Sequence, residues 1–181
     1  MKTIMKYLTP SITALALTGC VVTGQIAERR GTKAYLLKDY TTAHSEYTAA
    51  IAEGNADAQY HLAVMYAEGQ GVEKNLEKAA ELLKAAAAQG QMNAKLMLGL
   101  FYIYGDGVTA DPAKGARMIT EAAEAKNDVA MYYLANLYAA GLGVEKDIPT
   151  ALMWLTKAKK NGFPVEDEQL SEAYLESLYE D

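Results

Sequence analysis

The string YAEGQGV at Tyr66–Val72 returns as YIYGDGV at Tyr102–Val108 and as YAAGLGV at Tyr138–Val144, so the chain repeats itself every 36 residues. A repeat of this length points to a stack of similar units, each leaving an apolar face for the next to cover, rather than to one closed core. In this register the segments 55–90, 91–126 and 127–162 agree well beyond the glycines. Ala58, Ala94 and Ala130 correspond, as do Leu62, Leu98 and Leu134, and the next position is always small: Ala63, Gly99, Ala135.

Within each unit the pattern is helical. Ala58, Leu62 and Tyr66 fall at i, i+4 and i+8 and share one helix face. The glycine pair then ends that helix, because glycine enters the left-handed conformation of a helix C-terminus at little cost. Asn75, Asp111 and Asp147 stand where a second helix begins, each able to accept from orphan N–H groups, and Pro112 falls at a first helical position. The second helix carries Ala79, Leu82, Leu83 and Ala86 in one unit and Ala151, Trp154, Leu155 and Ala158 in another, closing at Gly90 and Gly162. The GxG spacing is not a dinucleotide fingerprint, which needs a strand before it and a third glycine opening a helix. An alanine-rich chain with 13 Tyr but only 2 Phe and 1 Trp suits closely stacked helices. The pattern predicts an all-α protein, an α/α solenoid of antiparallel helix pairs.

The motif AxxxLAxxYxxGxGVxxD, followed by a second helix ending in AxxxG, resembles the Sel-one-like repeat, a relative of the tetratricopeptide repeat. Three copies occupy residues 55–90, 91–126 and 127–162. Two departures, Gly115 for the alanine of the second helix and Lys126 for the closing glycine, predict that the middle repeat is the loosest. Gly31, Tyr40, Ala43, Tyr47 and Ala50 resemble a tetratricopeptide hairpin with a shorter turn, giving a degenerate first repeat over 26–54. Residues 163–181, rich in Glu and Asp, are expected to form a capping segment with one unpaired helix over 166–179.

The N-terminus reads as an export signal. Lys2 and Lys6 precede the short apolar run 7–17, which Pro10 and three hydroxyl residues make too weak to span a bilayer. The run ends in Leu17-Thr18-Gly19-Cys20, which resembles the bacterial lipobox, and Cys20 is the only cysteine. The resemblance implies a lipoprotein signal peptide over 1–19, cleavage before Cys20, and acylation of Cys20 by a diacylglyceryl group and a further chain such as palmitate. Several chains on one residue hold a protein in a leaflet, whereas one binds marginally. Val21 in place of Asp implies an outer membrane lipoprotein facing the periplasm, with residues 20–25 as acylated Cys and short tether. The mature chain would carry 15 basic against 23 acidic residues, a formal charge of −8. That balance argues against nucleic acid or anionic headgroups as ligands.

By analogy with tetratricopeptide repeats, the first helices line a concave face. Its expected positions are Tyr60, Val64, Ala67 and Glu68, then Leu96, Leu100, Ile103 and Tyr104, then Tyr132, Asn136 and Ala139. The partner-binding groove is expected at Tyr60, Val64, Leu96, Leu100, Ile103, Tyr104, Tyr132 and Asn136, with Tyr60, Tyr104 and Tyr132 as anchors for an extended peptide or helix. The competing arrangement buries these side chains between repeats or beneath the C-terminal helix. Tyr66, Tyr102 and Tyr138 are expected in the inter-helix core.

Catalytic and metal motifs are absent from the sequence. His44 and His61 have no partner at metal-ligand spacing and are expected on helix surfaces. None of Ser11, Ser45, Ser171 or Ser177 is followed by Lys at the third position, so the S-x-x-K nucleophile of β-lactamase-like proteins is missing. The chain is therefore expected to be a protein-binding adaptor, scaffold or regulator, or alternatively a periplasmic immunity protein against a secreted effector, with a β-lactamase-like or cell-wall hydrolase activity as a minor alternative. No enzyme activity, cofactor or metal is expected.

Overall fold

The computed structural model describes residues 12–179, with side chains from residue 22 onward. Residues 1–11 of the expected signal peptide, the side chains of Cys20 and Val21, and residues 180–181 of the cap therefore lie outside what is described. Among the described residues there is no strand. Four helix pairs follow one another: α1 Ile12–Leu36 with α2 Tyr40–Ala52, α3 Ala56–Glu68 with α4 Leu76–Ala88, α5 Met92–Tyr104 with α6 Pro112–Glu124, and α7 Asp128–Ala140 with α8 Ile148–Lys160. A 3-10 turn, Asp167–Gln169, and the short helix α9, Glu172–Ser177, close the chain. The molecule is an all-α solenoid of helical hairpins.

Side-chain caps set where the helices begin. Asn75, Asp111 and Asp147 accept from the backbone N–H groups of Lys78, Lys114 and Thr150 at 2.8, 2.9 and 3.0 Å. Asn55 and Asn127 do the same for Ala58 and Ala130, both at 2.8 Å, and Gln91 caps α5 through Ala94. Each such cap is worth about 1 kcal/mol. The two glycines of each pair divide their work. The first, Gly69, Gly105 and Gly141, ends its helix in the left-handed region with φ of 72°, 79° and 70°. The second lies against the preceding hairpin: a Cβ on Gly107 would collide with the Leu76 carbonyl, and one on Gly143 with that of Pro112. Gly71 lies at the corresponding place on Tyr40, where a Cβ would collide with the Tyr40 Cβ rather than with a carbonyl. The motif therefore terminates one helix and seats the loop on the start of the previous outer helix.

Packing follows from which sides of each helix are apolar. The even-numbered helices bury one stripe, mostly alanine with a large side chain at one recurring place: Tyr47, Leu83, Ile119 and Leu155 stand at 36-residue intervals and are buried, and α8 buries Trp154 as well. The odd-numbered helices bury two sides. On α5, Ala94, Leu98 and Phe101 join the core of the N-terminal half, whereas Leu96 and Ile103 join that of the C-terminal half.

The middle hairpin departs from expectation. Rather than loosening it, Gly115 permits close approach: its Cβ position would run into the Gly99 carbonyl, and a Cβ on Gly99 would lie 2.9 Å from the Gly115 carbonyl. Two glycines face each other where other hairpins place alanines. Lys126, in place of glycine, is forced to φ 68°.

At the first hairpin, residues 20–25 are helical rather than a tether, since α1 runs through them unbroken. Gly24 is already buried against α2, where a Cβ would come within 2.9 Å of Glu53 Cβ. Gly31 makes room for the Tyr47 ring, 2.7 Å from its Cβ position. His61 is not a surface residue as expected: its ring stacks on Tyr47 with centroids 5.3 Å apart, and Nε2 lies 3.6 Å from Glu28 Oε1. Burial lowers the His61 pKa below the ordinary histidine value, with Glu28 and Asp57 opposing. His44 Nε2 meets the Tyr66 hydroxyl at 3.4 Å. The C-terminal segment also differs from a single helix over 166–179. Gln169 Oε1 accepts from the Glu166 N–H at 2.9 Å and closes the 3-10 turn, and Ser171 starts a new helix by accepting from the Tyr174 N–H at 3.2 Å.

Three outcomes follow for denaturation experiments. Gly143→Ala, which meets a backbone carbonyl as well as a positive φ, should destabilise by about 3 kcal/mol, against about 1 kcal/mol for Gly90→Ala, where only the conformational term applies. Lys126→Gly should stabilise by about 0.5–1 kcal/mol by relieving the left-handed lysine. Because the folded chain holds His61 neutral, its contribution is full above the unfolded pKa near 6.5 and declines as pH falls below it. The wild type should therefore lose more stability between pH 7 and pH 5 than His61→Phe, measured as the shift in Tm of each.

Candidate functional site along the odd-numbered helices

The odd-numbered helices bring their aromatic and aliphatic residues to one face, where two clefts run together. One, of 450 Å³, lies between Tyr60 on α3, Leu96 and Leu100 on α5, and Val129 and Tyr133 on α7. The other, of 420 Å³, continues from Leu100 and Tyr133 past Tyr104, Tyr132 and Asn136 to Leu142. Among the described residues no charged side chain lines either cleft. Tyr104 and Tyr133 stand out into it, 66% and 37% exposed.

The groove residues expected from the sequence fall into three groups. Tyr60, Leu100, Tyr104, Tyr132 and Asn136 line the clefts. Leu96 reaches the cleft wall but is almost wholly buried, and half-buried Val64 lines neither cleft. Ile103 is a correction: it is turned away into the core, where it packs on Gly115, and Ala139, one repeat later, is fully buried as well. The physical reason is the second apolar side of the odd helices. Once the small residues at 63, 99 and 135 face the partner helix, the column 67, 103, 139 turns toward the next repeat, and the column 68, 104, 140 faces outward. The same rotation brings in Met97 and Tyr133, one residue beyond the expected Leu96 and Tyr132. The sequence carried a signal for them in their recurrence, since Met97 and Tyr133 are both large and stand one repeat interval apart.

The tyrosine anchors differ in kind. Tyr132 stacks on Phe163 at 4.6 Å between ring centroids and so belongs to the wall rather than to a free contact surface. Its carbonyl accepts from Asn136 Nδ2 at 2.9 Å, which fixes the amide so that Asn136 Oδ1 points to Tyr179. The Tyr179 hydroxyl donates to that oxygen at 3.1 Å, and burial raises the phenol pKa above its usual value. The chain's own C-terminal segment thus closes the α7 end of the groove. It leaves the stretch over Tyr60, Met97, Leu100 and Tyr104 uncovered.

Tyr66, Tyr102 and Tyr138 lie between helices. Tyr66 is buried, and the other two are half-buried against the core. Lys78 and Lys114, again 36 residues apart, place their ammonium groups 4.2 and 4.0 Å from the ring centroids of Tyr66 and Tyr102. Such contacts contribute about 0.5–1 kcal/mol at partly exposed sites. In the third repeat Thr150 takes this position and bonds Asp147 Oδ2 at 2.6 Å instead.

Among the described residues no three His, Cys, Asp or Glu side chains are grouped to hold a metal ion, and no helix is long and apolar enough to cross a membrane. The Sel1 repeat profile matches residues 56–91, 93–127 and 128–163. A Sel1 repeat protein of Oxalobacter formigenes is similar in structure, with TM-score 0.68 and 31% identity over 75% of this chain. So is c5321, a protective antigen of uropathogenic Escherichia coli strains displaying an SLR fold, with TM-score 0.66 and 30% identity over 76% of this chain. The chain spans 56% and 30% of the lengths of those two proteins. No curated protein gives a significant match. Sel1 repeats generally mediate protein–protein interaction. With three tandem matches, the glycine-seated hairpins and these structural relatives, the chain belongs to the Sel1 repeat family.

Proposed function

We propose that this protein is a membrane-anchored interaction module that binds one partner protein in the groove over α3, α5 and α7. The observation that carries this reading is the cleft, lined among the described residues by apolar and neutral polar side chains, with Tyr104 and Tyr133 standing into it. A groove without charges suits an amphipathic helix or an extended segment with apolar anchors, whose polar edge remains in solvent. Tyrosine contributes large contact area with few rotatable bonds to immobilise. The lipobox supports acylation of Cys20, and Val21 supports an outer membrane position facing the periplasm. The protein then acts as an adaptor, scaffold or regulator held at the membrane.

A second reading is favoured by one observation. Residues 39–181 carry 22 acidic against 11 basic side chains, a surface complementary to a basic effector. In that case the protein occludes a toxin as an immunity protein, and a deletion strain would be killed by effector-armed siblings. Equal survival of deletion and parent strains removes this reading.

The interaction reading is tested in cells by a photocrosslinking residue at Tyr104, with one at exposed Lys84 on α4 as the control. Capture of a single envelope protein from Tyr104 but not from Lys84 is the expected result, and capture of nothing from Tyr104 overturns it. With that partner purified, Tyr104→Ala should weaken binding by about thirtyfold, as for a central aromatic contact. Labelled palmitate should enter the wild type and not Cys20→Ala; label in both variants would refute the assignment of Cys20.

A further inference from the structure

Charge is distributed unevenly along the solenoid. Residues 22–38 carry four basic side chains and one acidic, whereas residues 39–181 carry an acidic excess, and residues 163–181 have seven acidic groups and no basic one. The basic groups of the first segment share a helix face. Gly24, Gly31 and Ala34 are buried in the first hairpin. On the opposite side, positions 22, 26, 29, 33 and 37 follow one another at helical spacing, all exposed: Val22, Ile26, Arg29, Lys33 and Leu37. Arg30 and Leu36 flank this row and are exposed too. The single acid, Glu28, faces the other way, accepting from the Thr32 hydroxyl at 2.8 Å and lying against His61.

Half of the large exposed apolar side chains among the described residues are on this helix or the turn that ends it: Val22, Ile26, Leu36 and Leu37, between 45% and 74% exposed. A helix face that mixes aliphatic groups with arginine and lysine and contains no acid has the composition of a segment lying in a lipid headgroup layer. The aliphatic groups enter the acyl boundary and the cations meet phosphates. The face begins two residues after Cys20.

We infer that the outer face of α1 is a membrane-contact surface, which lies flat on an anionic phospholipid leaflet. It rests on the proposed acylation of Cys20 only for its proximity to the leaflet; the face has its chemistry without that anchor. Whole-chain acidity conceals this local preference and, by repelling the rest of the solenoid from the same leaflet, orients the stack. Only α1 lies against the lipid, and the groove over α3, α5 and α7 stays in solvent.

The test uses the full chain with Cys20→Ala, so that the result is independent of acylation, and vesicles of phosphatidylethanolamine with phosphatidylglycerol or of phosphatidylcholine alone. The apolar N-terminal run is common to all variants and cancels in the comparison. The expected result is stronger partition into the anionic vesicles, weakening with added salt, and a loss on the order of a hundredfold in Arg29→Gln/Arg30→Gln/Lys33→Gln. That figure takes each basic residue at the surface as worth about fivefold. Arg29→Glu/Arg30→Glu/Lys33→Glu, which reverses the charges rather than removing them, should lose more. The charge-matched control Lys84→Glu/Lys146→Glu/Lys160→Glu, on residues exposed elsewhere in the stack, should keep most of the anionic preference. All replaced side chains are exposed, and unchanged helix content by circular dichroism shows that the variants fold. Equal partition of wild type and the α1 variant overturns the inference, as does equal loss in the control. Salt-sensitive self-association without lipid, abolished by the α1 variant, would also overturn it, by assigning the basic face to the acidic C-terminal segment of a second copy. Labelled palmitate at Cys20 is a separate measurement, so failure of the anchor and failure of the face are told apart.

Discussion

The stack depends on the approach of one backbone to another at the second glycine of each pair. Where Gly107 lies on the Leu76 carbonyl and Gly143 on that of Pro112, the loop of one hairpin has no side chain between itself and the first turn of the preceding outer helix. That contact fixes both spacing and rotation between neighbours. The capped starts of α4, α6 and α8 and the 13-residue length of each helix then follow with the same 36-residue interval. A Cβ at this point would lift the loop and with it every hairpin beyond.

Alanine serves the same end inside each hairpin. With Ala79, Ala86, Ala122, Ala151 and Ala158 fully buried, the outer helices come close to the inner ones, and one or two large residues per outer helix fill the remaining space. The middle hairpin carries this furthest through Gly99 and Gly115. Dispersion grows steeply with close contact, so a glycine that weakens a helix by propensity can strengthen the joint between two helices.

The architecture was legible because its determinants are local and repeat: glycine pair, cap, small residue and the apolar spacing all return at one interval. The groove was legible only in part. Tyr104, Leu100 and Tyr60 follow from the helical period, but Ile103 was placed one column out because the analogy assumed helices apolar on one side, and α5 is apolar on two. The role of Tyr179 was invisible from spacing, since its bond to Asn136 joins residues 43 apart in different units. Likewise the ring that stacks on His61 and the carboxylate beside its Nε2, Tyr47 and Glu28, arrive from two other helices. Features made by stacking register between unlike elements have no period, and the first hairpin and the C-terminal segment are where such elements meet.

The two halves of the hydrophobic interior share no residue, yet both draw on α5, which gives Leu98 and Phe101 to one and Leu96 and Ile103 to the other. The helix is a hinge pin as much as a wall. Bending of the stack at its middle must rotate or slide α5 against one half, and the outward side of the same helix carries Leu100 and Tyr104. A molecule resting there bears on the part whose movement sets the relative angle of the two halves, so occupation of the groove and stiffness of the solenoid are mechanically one property.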